Sequence, residues 1–154
     1  MKRHILLVVL LVGTLSLSGC GPRVSGFSEN QLSQAMAQQQ NQHERMAAAL
    51  ELGRRGGQQS AAILMQYVND PNPDVQIKVM HALAVYMYDR KAAPAIEQQM
   101  FSPHESVARK AISCIKHLDY SSAVPDLKRL RDTSTMPGVV RAAQNAIVYF
   151  RRHG

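Results

Sequence analysis

The side chains of this 154-residue chain best suited to chemistry are two cysteines, six histidines and a serine–lysine pair one helical turn apart. Ser113-Cys-Ile-Lys116 has S-x-x-K spacing, in which an amine can take the proton of a hydroxyl and so create an oxygen nucleophile. That chemistry needs a serine at an exposed helix start, with Ser-Asn and Lys-Thr-Gly elements beside it. Ser113 instead falls inside a helical stretch, and the chain has no Lys-Thr-Gly. His43-Glu44 and His104-Glu105 pair an imidazole with a carboxylate, but no H-E-x-x-H zinc pattern occurs, and His81, His117 and His153 are scattered. Methionines such as Met65, Met80, Met87 and Met100 could offer soft thioether ligands to copper(I). At helical spacing they read as core filler. Cys114 sits in the apolar run Ala111-Ile-Ser-Cys-Ile115 and reads as a buried, inert thiol. No glycine-rich phosphate loop or Ser-His-Asp set stands out, and tryptophan is absent. The expectation is a protein that is not an enzyme, with no catalytic residue, metal, cofactor or small-molecule substrate.

Cys20 calls for different chemistry. Lys2 and Arg3 precede an apolar run, Ile5 to Val12, and then Leu17-Ser-Gly-Cys20. A basic start, a short apolar stretch and small residues make a secretory signal peptide, and the run is too short to span a bilayer of roughly 30 Å. Leu17-Ser18-Gly19-Cys20 resembles the lipobox of bacterial lipoproteins. The resemblance implies cleavage before Cys20, a diacylglycerol on its sulfur and, often, acylation of the new amino group. Two or three acyl chains hold a protein on a membrane where one chain, at about 10⁴ M⁻¹, does not. Gly21 stands where an inner-membrane retention signal would usually show Asp, which favours the periplasmic face of the outer membrane if the cell is Gram-negative.

Charge is unevenly spread. Residues 20–106 hold seven basic and eight acidic side chains, whereas residues 107–154 hold nine and three. A basic surface attracts anionic partners. Export argues against nucleic acid, leaving an acidic protein, phospholipid head groups or another envelope polyanion.

The elements behind these residues are helical. Residues 1–19 form the leader, and residues 20–42 a lipidated tether followed by a polar, Gln-rich segment. Within that segment Ser28 and Gln31 can form a capping box, so a first helix and a disordered stalk both fit. From residue 43 to 154 apolar residues recur at helical spacing and strand signals are absent. Val75–Leu83 aligns with Val107–Ile115 and Val140–Val148, at offsets of 32 and 33. Proline-bearing turns precede them at Asp70–Asp74, Ser102–Ser106 and Met136–Gly138. The earlier helices also align, Ala62-Ile-Leu64 with Pro94-Ala-Ile96 and Pro125-Asp-Leu127, and Ala47–Gly53 adds half a repeat. Amphipathic helix pairs bury their apolar faces only by stacking on one another. Leu50, Leu83, Ile115 and Val148 should form one core column, Leu64, Ile96 and Leu127 should face it, and Asp74 and Ser106 should cap second helices.

Ala123-Val-Pro-Asp-Leu127, Asp70-Pro-Asn-Pro-Asp-Val75 and Val140-Arg-Ala-Ala143 resemble the HEAT-like repeats of the bilin-lyase type. The resemblance covers about residues 44–152 and implies an all-α, right-handed α-solenoid of about three and a half helix pairs. It departs from the family at Ser102 and His104, where acidic residues are usual. The His-Glu pairs resemble those of HEAT-repeat di-iron hydroxylases, but that family uses four, set inside second helices, and this chain has two. In such stacks second helices line the concave surface. This places Lys78, His81, Arg109, Lys110, Lys116, Arg141, Asn145 and Tyr149 on a partner-binding face. The expected function is a membrane-anchored adaptor or scaffold in the bacterial cell envelope that binds an envelope protein or complex, an acidic one suiting the charge. Two alternatives stand beside it: a pilotin-like chaperone for an outer-membrane secretion or pilus component, and an enzyme working in the solenoid groove.

Overall fold

A computed structural model describes residues 24–153, and every regular element in that range is helical. The expected leader and the Leu17–Cys20 motif, with Cys20 itself, lie outside the described residues. Eight α-helices form four antiparallel pairs: α1 (Glu29–Ala37) with α2 (Gln42–Arg55), α3 (Gly57–Met65) with α4 (Pro73–His81), α5 (Ala93–Gln98) with α6 (Glu105–His117), and α7 (Val124–Thr133) with α8 (Pro137–His153). Second helices stack in sequence, α2 on α4, α4 on α6 and α6 on α8. The result is a short α-solenoid.

The polar segment is ordered and completes the first pair. Gln31 donates its backbone N–H to Ser28 Oγ at 3.3 Å, and Ser28 N–H donates to Gln31 Oε1 at 2.8 Å, closing the capping box. Leu32, Ala35 and Met36 are buried against α2. Three apolar residues at i, i+3 and i+4 suffice, because α2 supplies the rest of the wall.

The core column differs in register from the sequence alignment at both ends. Leu83 and Ile115 are fully buried, but Leu50 and Val148 are only half-buried; Leu52 and Ile147 take their places. The cause lies in where each helix starts. Asn41 and Asn72 both cap second helices, which fixes an offset of 31 for the first pair of repeats. Val139 rather than Val140 is buried beneath Val107's equivalent position, which restores 32 for the last. Leu64, Ile96 and Leu127 are buried as expected.

The caps also differ from expectation. Asn72 Oδ1 accepts from the N–H groups of Asp74 and Val75 at 3.0 and 3.2 Å. Pro73 occupies the first helical turn, where its missing N–H costs nothing, so Asp74 is already inside α4 and instead accepts from Gln42 Nε2 of the preceding pair at 2.9 Å. Likewise α6 starts at Glu105, so Ser106 is helical; Ser102 Oγ accepts from His104 N–H at 3.2 Å.

Asp70, Ser102 and Ser134 hold equivalent turn positions, each accepting from the N–H two residues on. Asp70 does more. Its other oxygen pairs with the Arg45 guanidinium, and both side chains are almost wholly buried. Arg45 Nε also donates to Met36 O at 2.9 Å, and its guanidinium lies 5.9 Å from the Tyr67 ring centre. One turn-and-helix further on, Gln76 fills the place of Arg45, its Nε2 donating to Val68 O at 2.9 Å.

Beyond His81 the α4 helix widens into a π turn, Ala82–Tyr86. Gly53 of α2 packs there so closely that an added Cβ would lie 2.6 Å from Ala82 Cβ. Absence of a side chain at 53 lets the widened turn approach α2.

Candidate functional site

One face of the array is a groove of about 500 Å³ formed by α4, α6 and α8. Ile77, Ile112, Ala142 and Ala146 make its apolar lining, and Arg109, Lys110, Lys116 and Asn145 its polar one. Their convergence follows from periodicity. Ser106, Arg109, Lys110, Ser113 and Lys116 recur at three- and four-residue spacing on α6, so they share a face opposite the core residues Val107, Ala111 and Ile115.

Of the eight residues expected on the partner face, four line this groove and three attach to it. Lys110 Nζ lies 2.8 Å from His81 Nδ1, where the neutral imidazole accepts. Burial first, then the charges of Lys110, Lys78 and His117, hold His81 below its ordinary pKa, so it stays neutral at neutral pH. Lys78 is the half-buried neighbour whose charge His81 feels. Lys116 Nζ stands 5.7 Å from the centre of the Tyr149 ring, a cation–π contact that ties α6 to α8. Arg141 is exposed on α8 and does not line the groove. Ser106 and Ile77 do, and the sequence reading missed both. Their signal was present: each lies one turn before a residue already singled out, Arg109 or His81.

Charge is weakly compensated at the groove. Glu105 lies 3.7 Å from Arg109, both well exposed, and a pair of that kind contributes about 0–1 kcal/mol. Cations gathered along a cleft of low polarizability focus the potential and draw in anions. The groove lining holds no carboxylate and no imidazole.

The other reactive patterns resolve into structure. Ser113 and Lys116 both line the groove, but Ser113 is mid-helix, no hydrogen bond joins the two, and the Lys116 ammonium faces Tyr149. Cys114 is buried with Sγ 3.5 Å from Met80 O, and burial pushes its thiol up to about 11. At neutral pH it is a thiol without nucleophilic thiolate character. His43 is exposed, Glu44 accepts from Asn41 Nδ2 at 2.6 Å, and His104 precedes α6. Among the described residues no three His, Cys, Asp or Glu side chains gather into a metal-holding group. No described helix is long and apolar enough to cross a membrane.

Parallel stacking of like helix pairs, with equivalent turn bonds at each step, defines a helical-repeat protein. The family model for HEAT repeats matches residues 29–100 and, again, 63–148, and the chain belongs to that family. No curated protein matches the sequence. Among solved structures, human deoxyhypusine hydroxylase in complex with glycerol is similar at a TM-score of 0.68 and 15% identity, over 81% of this chain and 44% of that one. The chain therefore spans less than half of that enzyme, and the likeness is one of fold.

Proposed function

We propose that this chain is a lipid-anchored binding adaptor of the bacterial cell envelope, whose groove between α4, α6 and α8 receives an acidic segment of a partner protein or complex. The observation that carries the reading is the meeting of Arg109, Lys110 and Lys116 above an apolar floor, on a rigid stack, with Asn145 as an added hydrogen-bonding group. Cations with aliphatic stems over apolar ground suit a peptide that offers carboxylates between apolar residues. A lining of Arg, Lys, Ser and Asn without acid or imidazole supports binding over catalysis. The anchor rests on Leu17-Ser-Gly-Cys20 and its apolar leader; confinement to a membrane raises the effective concentration of a partner in the same envelope.

Photocrosslinking from position 109 in live cells, followed by mass spectrometry, identifies the partner. Pull-down of that partner should weaken with salt and fall more than tenfold for Arg109→Glu/Lys116→Glu, two exposed side chains whose reversal leaves the core intact. Equal recovery from the charge-reversed chain at every salt concentration would refute the groove assignment. Metabolic labelling with palmitate, lost in Cys20→Ala, tests the anchor separately.

A further inference from the structure

We propose that one edge of the array, built from the α2–α3 junction and the loop after α4, rests on a membrane surface that carries anionic phospholipid. The proposal builds on the reading that Cys20 carries the anchor.

The chain's entry point sets which edge can lie near the lipid. Val24 is buried, and Ser25 O accepts from Arg55 Nη2 at 3.0 Å at the end of α2. Cys20 precedes Val24 by four residues, a span of at most about 14 Å. The second helices are longer than that reach: the 14 residues of α2 extend about 21 Å. An anchor on Cys20 thus holds the edge at the end of α2, not the edge at its start.

That edge has the chemistry of a membrane interface. A cleft of about 790 Å³ lies there, bordered by Gly56 and Gly57 on one side and by Tyr86, Met87, Tyr88, Asp89 and Lys91 on the other. Tyr86 and Tyr88 are about half exposed, at 47% and 50%, with Met65 beside them. Tyrosines at a bilayer surface place their rings among the head groups. Arg54, Arg55 and Lys91 border the same cleft. Glu51 pairs with both arginines at 2.7 and 2.9 Å but is itself 8% exposed, and Asp89, which also lines the cleft, accepts from Lys91 N–H at 3.0 Å, so the lining offers three cations and one carboxylate.

The second helices are polarised in the same sense. Second helices run parallel, and their last turns carry Arg54-Arg55, Lys116-His117 and Arg151-Arg152-His153. Their first turns carry Glu44, Asp74 and Glu105. The helix dipole explains each placement locally. Together the placements give the edge from which the tether leaves an excess of cations, which Asp89 after α4, Asp119 after α6 and Asp126 at the start of α7 offset in part. An anionic leaflet attracts such an edge. The groove of α4, α6 and α8 lies between the edges and stays open.

The test uses the chain from Cys20 onward, which contains the whole described array, coupled through Cys20 to a maleimide lipid in vesicles. Buried Cys114, with its thiol at about 11, does not compete at neutral pH. The chain has no tryptophan, so Tyr88→Trp and, on the opposite edge, Phe101→Trp are single reporters. In vesicles of 70:30 phosphatidylcholine to phosphatidylglycerol containing brominated lipid, Tyr88→Trp should be quenched at least twofold and Phe101→Trp should not. Arg54→Glu/Lys91→Glu, or pure phosphatidylcholine, should abolish the quenching while the protein stays coupled. Equal quenching at both positions, none at either, or quenching indifferent to these charges would overturn the proposal. The anchor is supplied chemically, so the outcome is independent of whether cells acylate Cys20.

Discussion

Asp70→Ser separates the two jobs of the most buried charge in the array. Serine already stands at the equivalent turns, where Ser102 and Ser134 each accept from the N–H two residues on at 3.2 Å. The Asp70→Ser chain should therefore keep its turn bond to Asn72 N–H and lose only the ion pair with Arg45. The guanidinium would be left with Met36 O and the Tyr67 ring in a site where its side chain is 4% exposed. Removing one partner of a buried pair costs about 3–5 kcal/mol; the surviving contacts put this case near the lower figure, about 3 kcal/mol. For an array of this size that is a fall in Tm of about 10 °C. Arg45→Gln/Asp70→Ser then places the residue types found one repeat further on, where the turn holds Ser102 and Gln76 Nε2 donates to Val68 O and to Gln99 Oε1. The double variant should return to within about 1 kcal/mol of the parent, since an uncharged amide has no unpaired charge to bury. Urea unfolding followed by circular dichroism at 222 nm gives the three values. A single variant costing less than about 1 kcal/mol, or a double variant no better than the single, would refute the pairwise account of this junction.

Two glycines should respond differently to alanine. At Gly53 a Cβ meets Ala82 Cβ at 2.6 Å and Ala82 Cα at 3.0 Å, which are fixed by the π turn, so overpacking of about 1–3 kcal/mol outweighs a helix-propensity gain of about 1 kcal/mol; a Gly53→Ala chain melting above the parent would contradict that packing. At Gly138 the obstacles are the Glu105 carboxyl and Arg109 Cδ, ends of exposed side chains that can swing aside, and thermal melts should find Gly138→Ala within about 0.5 kcal/mol of the parent. His81 gives a pH dependence. Its pKa in the folded state is held below 6.5, mainly by burial and then by Lys110, so the unfolded chain binds the proton more readily and stability drops as pH falls below 6.5. His81→Gln should shallow the decline in Tm between pH 7.5 and 5.5; an unchanged slope would remove His81 as its source.

Much of the fold was legible because stacking repeats print themselves as a period. The apolar positions Val75, Val79 and Leu83 return as Val107, Ala111 and Ile115, all buried, and no strand pattern competes with them. What escaped was register at the ends. A one-residue shift on a helix turns a side chain by about 100°, and Val139-Val140 or Ile147-Val148 offers two apolar neighbours to choose from. Only the cap and turn bonds, which tie each helix start to its predecessor, decide between them. The first helix was hard to read for a different reason: with Leu32, Ala35 and Met36 as its few buried points, its order depends on α2, and a partner's contribution leaves no mark in the segment itself. Most of the groove was legible once the second helices were placed. The Arg45–Asp70 pair was not, because nothing in a sequence distinguishes a charge that turns inward from one that faces water.

That distinction explains the uneven charge of the chain. The buried polar side chains Arg45, Glu51, Ser60, Asp70 and Gln76 all fall in the first two repeats. There one cation is committed to the interior, Arg45 to Asp70, while Arg54 and Arg55 pair with Glu51 along α2 and keep their outer faces exposed. At the third junction the place of Arg45 and Gln76 is taken by Ala108, and beyond it the acids pair only at the surface, Asp126 with Arg129 and Asp132 with Arg131. Apolar packing can hold the last two repeats together, so their basic side chains are not needed inside. Lys110 and Lys116 are thereby released to line the groove. The first half of the array buries one ion pair to fix its stacking and presents cations only at its edge, whereas the second half presents them in the groove.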